Sequence, residues 1–138
     1  MAVYLANTGI LTVNSVDLST LVTNVVINRS FDELEITALG DTGHKFVKGL
    51  EASSITIDFL NDSASTKTLQ TLNTTWGTSV TVTFKQTSAA TSAENPLYTM
   101  TCLINNTTDI NGAVGDLSMQ SLTFNVSGTV AVATTGTF

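Results

Sequence analysis

Apolar and polar side chains alternate along most of this chain. In TNVVINRSF, residues 23 to 31, Val25, Ile27, Arg29 and Phe31 fall on one face and Val26, Asn28 and Ser30 on the other. A period of two marks a strand with one face buried. FDELEITAL continues the pattern, with Leu34, Ile36 and Ala38 against Glu33, Glu35 and Thr37, and the acidic pair Asp32–Glu33 predicts a bulge where the facing resets. EASSITIDFL sets Ile55, Ile57 and Phe59 against Ser54, Thr56 and Asp58. SVTVTFK turns Val80, Val82 and Phe84 inward and Thr81, Thr83 and Lys85 outward. LYTMTCLIN and LSMQSLTFNVSG alternate in the same way. NSVDLSTLVT predicts a short strand and a turn, and TVAVATTGTF a last short strand.

Two stretches break the period. STKTLQTLNTTWG predicts one helix, about residues 64–76, with Leu69, Leu72 and Trp76 at i, i+3 and i+7. Ser63 or Ser65 is placed to cap its start, and Gly77 to stop it. So narrow an apolar stripe must lie on a sheet. The other break is GDTGHKFVKG, a loop at about 39–50 that is longer than the usual hairpin connection of about 2–5 residues. Residues 6–11 are mixed and read as a mobile segment or docking arm. The sum is seven or eight strands and one flanking helix. That is a mainly β chain, an antiparallel sandwich or barrel, forming a single domain over residues 1–138.

Composition sharpens this. Charged residues make up 12% of the chain, half the usual share of about a quarter, and 26 threonines take their place. The exposed faces are therefore coated with hydroxyls and amides. Sheet edges are normally guarded by lysine, proline or bulges, yet there are five basic residues and one proline. A surface of this kind is tolerable where most of it meets further copies of itself. The net charge of −6 excludes a grip on nucleic acid, which needs a basic patch. MAVYLANTGI carries no secretion signal and no run approaches the ~18 apolar residues of a membrane span, so synthesis in a cytoplasm and no membrane partner are expected.

Catalytic chemistry finds little footing. His44 is the single histidine and Cys102 the single cysteine, too few for a zinc site, and no local text joins them as a dyad. The segment DINGAVGD lacks the alternating ligands and closing glutamate of a calcium loop. Glu33 and Glu35 share a strand face rather than opposing one another across a cleft. No enzyme, no catalytic or metal residue and no cofactor is expected.

The order of elements carries a resemblance. VVINRSFDELEITAL, GDTGHKFVKGL, ASSITIDFL, TKTLQTLNTTWG, SVTVTFK, TSAATSAENPLY and GAVGDLSMQSLTFNVSG follow one another from about Leu21 to Gly128. In that order and spacing the chain resembles the tail tube proteins of long-tailed, non-contractile bacteriophages, whose fold is shared by related puncture and secretion tubes. The resemblance implies a β-sandwich with a flanking helix, assembled as hexameric rings whose sheets merge around a lumen and stack into a tube. The long loop then reaches the next ring. On this chain it comprises Gly40, Asp41, Thr42, Gly43, His44, Lys45, Phe46, Val47, Lys48 and Gly49. His44, Lys45 and Lys48 would meet acidic groups on a neighbour, Phe46 and Val47 would supply apolar contact, and the loop would be loose in a monomer. Glu33, Glu35, Thr37, Ser54, Thr56 and Asp58 are the lumen-facing candidates, a wall that DNA slides past without specific binding. Further implied partners are tail tip or initiator, tape measure and tail terminator proteins. The implied location is the virion tail, after synthesis in a bacterial host. The rival readings are a capsid-decorating or head-tail connector protein and a soluble binding module, which would need an exposed aromatic row.

Overall fold

The computed structural model describes residues 9–135. Three antiparallel sheets account for most of them. The first has the order β10–β8–β7–β1–β2, built from β1 (Ile10–Val13), β2 (Val16–Asp17), β7 (Ser79–Lys85), β8 (Leu97–Leu103) and β10 (Ala131–Ala133). The second has the order β3–β6–β9, from β3 (Val22–Asn28), β6 (Ser54–Leu60) and β9 (Met119–Asn125). The third pairs β4 (Phe31–Glu35) with β5 (Phe46–Glu51). The fold is mainly β and sandwich-like, and no sheet closes into a barrel. β1 begins at Ile10, inside the segment expected to be a docking arm; residues 6–8 of that segment lie outside the described ones.

The inward sets of the alternation meet in one core. Ile55, Ile57 and Phe59 of β6 and Leu122 and Phe124 of β9 lie with Leu11, Val13, Val80, Val82, Met100 and Cys102 of the larger sheet, all buried. Burial of this apolar surface is the main favourable contribution to folding, at about 25 cal/mol per Å². The same burial pushes the Cys102 thiol up to about 11. Outward faces carry threonine. Thr12 and Thr83 hydrogen-bond across β1 and β7, and Thr81 and Thr101 pair across β7 and β8. Lys85 departs from its outward placement: it is buried, between the cross-strand neighbours Ile10 and Leu97.

The helix, α1, is Thr68–Thr74, shorter than the expected 64–76. Asp62 is the reason: its carboxylate accepts the Ala64 amide and its carbonyl the Leu69 amide, so residues 64–67 form turns, with Thr66 at φ 60°. Neither Ser63 nor Ser65 caps it, since the N-cap position is Lys67. Of the three stripe residues, Leu72 is buried, Leu69 half-buried, and Trp76 lies beyond the last turn, 54% exposed. The buried face is completed by Thr68, Thr71 and Thr75 instead. Thr68 ties it down by donating to the Leu60 carbonyl at 3.0 Å.

Candidate functional site: a β-hairpin arm and a polar sheet face

β3 and β6 pair regularly up to Asn28↔Ser54, and the ladder does not stop there. The Ala52 amide donates to the Ser30 carbonyl at 2.7 Å, Phe31 pairs with Glu51, and after a register shift Glu33 pairs with Lys48, Leu34 with Val47 and Glu35 with Phe46. The third sheet is thus the far end of one long two-stranded ribbon that runs out beyond the core. The expected loop over 39–50 is corrected accordingly. Phe46, Val47, Lys48 and Gly49 belong to strand β5, and the turn region is confined to residues 36–45.

The bulge lies where Asp32–Glu33 predicted it, but the extra residue is in β5, opposite Asp32. Gly49 permits it: a Cβ there would stand 2.7 Å from the Asp32 carbonyl oxygen. Because β4 itself gains no residue, its alternation continues unreset from β3. Glu33 and Glu35 therefore lie on the ribbon face that continues from Ile27, whereas Ser54, Thr56 and Asp58 lie on the opposite, outer face of the second sheet. Thr37 donates to the Glu35 carboxylate at 2.8 Å and goes with it. The six lumen candidates accordingly do not share one face.

The arm tip carries a set of internal hydrogen bonds. Ala38 to Asp41 forms a turn in which the Asp41 amide donates to the Ala38 carbonyl at 3.1 Å and the Ala38 amide to the Asp41 carboxylate at 2.7 Å. Gly40 supplies the positive φ of 93° that this turn requires. His44 Nδ1 lies 2.5 Å from Glu35, and Lys45 Nζ lies 2.9 Å from Asp41. Lys48 stands 5.6 Å from the Phe31 ring centroid. The basic groups expected to meet a neighbour's acids thus have partners within their own arm. His44 and Thr37 hold the Glu35 carboxyl below its ordinary value of 4.5, and the Ala38 amide and Lys45 hold Asp41 below 3.8. A depressed carboxyl contributes stability that is present above its ordinary value and lost as the pH falls through the depressed one. NMR titration downward from pH 5 is expected to move the amides of Ala38 and Lys45 below about pH 4.5, while β7 amides stay unchanged. Tip amides unmoved down to pH 2 would show that these bonds contribute nothing.

The arm leaves its apolar residues in water. Leu34, Ile36 and Val47 line one face, Phe31 and Phe46 the other, and Leu39 and Leu50 are almost fully exposed. A two-stranded hairpin alone is marginal in water. At its root, Glu51 accepts from the Ser53 hydroxyl at 2.7 Å and the Val130 amide at 2.9 Å, which pins β5 to the chain entering β10. These two bonds, the Ser53 one foremost, hold the Glu51 carboxyl below its ordinary range.

The outer face of the second sheet is a grid of three rows, Asn28–Ser54–Asn125, Val26–Thr56–Thr123 and Asn24–Asp58–Ser121. Asp58 is its one charge. Along the free side of β9, side-chain amides cap main-chain carbonyls: Asn106 donates to Thr123 at 3.2 Å and Asn111 to Met119 at 2.7 Å.

Cys102 is buried in β8 and His44 sits at the arm tip, so the two do not meet. No three His, Cys, Asp or Glu side chains gather around one point among the described residues. A groove of about 180 Å³ between β1 and β3 is lined by Leu11, Ser19, Val22, Val25 and Phe84 and holds no titratable group. No described helix is long and apolar enough to cross a membrane. No known family model matches this chain, and no curated protein matches it.

Proposed function

We propose that this protein is a self-assembling structural subunit that stacks in rings to form a tube, of the kind its resemblance to phage tail tube proteins implies. The observation that carries this reading is the arm. Half of the large apolar side chains exposed among the described residues, seven of fourteen, are gathered on one protruding ribbon. Apolar exposure concentrated in this way marks an interaction surface. The low charge of the body agrees with surfaces covered by copies of the same chain. In the tube, the Asn, Ser and Thr grid of the second sheet lines the lumen. It is well wetted, and its single charge, Asp58, repels phosphate. DNA then passes without being bound. Initiator, tape measure and terminator proteins would meet the tube at its ends and inside, in the virion tail.

Electron microscopy of the purified protein, fresh and after concentration, tests the reading. Long hollow tubes are the expected result. Closed single rings would favour a connector instead, and a monomer at the highest concentration reached would sink self-assembly.

A further inference from the structure

One asparagine in this chain is followed by glycine: Asn111, before Gly112. Every other asparagine precedes a residue that carries a side chain, most of them β-branched or bulky. The pair lies between β8 and β9, where both residues are exposed and Ile110 and Val114 beside them stand almost wholly in water. Among the described residues nothing accepts from the Gly112 amide, so its nitrogen can turn toward the Asn111 side chain. Gly112 has no Cβ to bar the approach. Asn14 offers the contrast. It is exposed too, but it sits in the tight turn between β1 and β2, its amide bonded to the Thr81 carbonyl at 2.9 Å, and Ser15 follows it.

The Asn111 side chain also has a structural task. β9 is an edge of its sheet, paired with β6 alone among the strands. On its other side three side-chain amides tie residues 105–118 to it. Asn106 donates to the Thr123 carbonyl at 3.2 Å, Gln120 accepts from the Thr108 amide at 2.8 Å, and Asn111 donates to the Met119 carbonyl at 2.7 Å. Asn111 is the last of these ties before the turn in which the Asp116 amide bonds the Ala113 carbonyl and Gly115 takes φ 92°. Gln120 is buried, whereas Asn111 is exposed, so water can exchange for its bond.

We propose that Asn111 is a site of spontaneous covalent modification: ring closure onto the Gly112 amide converts it to aspartate and isoaspartate, and the conversion unties residues 110–117 from β9. The reaction needs no enzyme and does not depend on self-assembly. In the first step the Gly112 nitrogen bonds to Asn111 Cγ, its proton passes to water, and the Cγ–Nδ2 bond breaks, releasing ammonia that takes up a proton. In the second, water adds to the cyclic imide. Opening at Cγ gives aspartate. Opening at the main-chain carbonyl carbon gives isoaspartate, with the chain rerouted through Cβ. Nothing is oxidised or reduced. Either product puts a carboxylate where a donor stood, and a carboxylate cannot donate to the Met119 carbonyl. It also adds negative charge to a segment that already holds Asp109 and Asp116 and no base.

Peptide mapping by mass spectrometry, on the full chain held in heavy-oxygen water, tests the site. Label is expected at Asn111, in two isomeric peptides, about tenfold or more faster than at any other asparagine, because only there is the following nitrogen unhindered. Gly112→Ala should slow it by about tenfold or more. The added methyl group would meet nothing closer than Ser118 at 3.7 Å, so the fold is kept. Labelling of Asn111 no faster than elsewhere, or equal labelling in Gly112→Ala, would overturn the site. NMR of Asn111→Asp reads the consequence. The amide signals of residues 110–117 are expected to move, and those of Thr108 and β7 to stay in place. Shifts that stop at the residues flanking position 111 would overturn the untying.

Discussion

Replacing Leu34 and Val47 together by threonine is expected to leave the body of the protein folded as before and to raise the concentration needed for assembly by about 30-fold. The two residues pair directly across β4 and β5 on one face of the arm, 53% and 42% exposed. Neither belongs to the buried core, so their loss costs the monomer little, and threonine keeps the preference for extended backbone. In an assembly the exposed remainder of both would be covered. At about 25 cal/mol per Å², losing that apolar area removes about 2 kcal/mol per docked arm, which is about 1.5 powers of ten in concentration. Sedimentation across a concentration series reads the shift, and thermal melting of the dilute protein reads the body. An unchanged assembly threshold would mean that this face of the arm is not covered. A large fall in melting temperature would mean that the arm is part of the core after all.

Phe59→Ala should act in the opposite way. Phe59 is fully buried in the middle layer, on the central strand of the second sheet, paired with Val22 and Gln120. Removing a buried phenyl ring takes away its transfer free energy and leaves a cavity, at a cost of about 3–5 kcal/mol. Against a total of about 5–15 kcal/mol for a domain, that is a large fraction. The melting temperature should fall by about 10–15 °C. Assembly should weaken only through loss of folded monomer. A cost below about 1 kcal/mol would show that the two larger sheets do not share one continuous core. The pair of variants separates what holds the subunit together from what holds subunits to each other.

Much of this architecture is legible in the alternation. Val80 and Val82, Ile55, Ile57 and Phe59, and Leu122 and Phe124 all face the core as their period of two requires. A buried sheet face leaves no choice of register, because a slip of one residue would expose every apolar side chain. The helix was legible in kind but not in length. Its start depends on Asp62 bonding the Ala64 amide, a local competition that an apolar stripe does not reveal. Trp76 was misplaced because the i+7 spacing assumes a helix that has already ended at Thr74.

The sequence alone determined the class of the fold, the uncharged hydroxyl coat and the unusual stretch around Gly40 to Gly49, since each follows from side-chain chemistry and local period. Only the tertiary structure decided that Phe46 to Gly49 form a strand, that the stretch is an arm continuing the β3–β6 ladder, and that Glu33 and Glu35 lie on the opposite face from Thr56. Those outcomes depend on which strand gains the extra residue at the bulge. That is settled by the close approach of Gly49 to the Asp32 carbonyl, a contact between residues 17 apart in the chain.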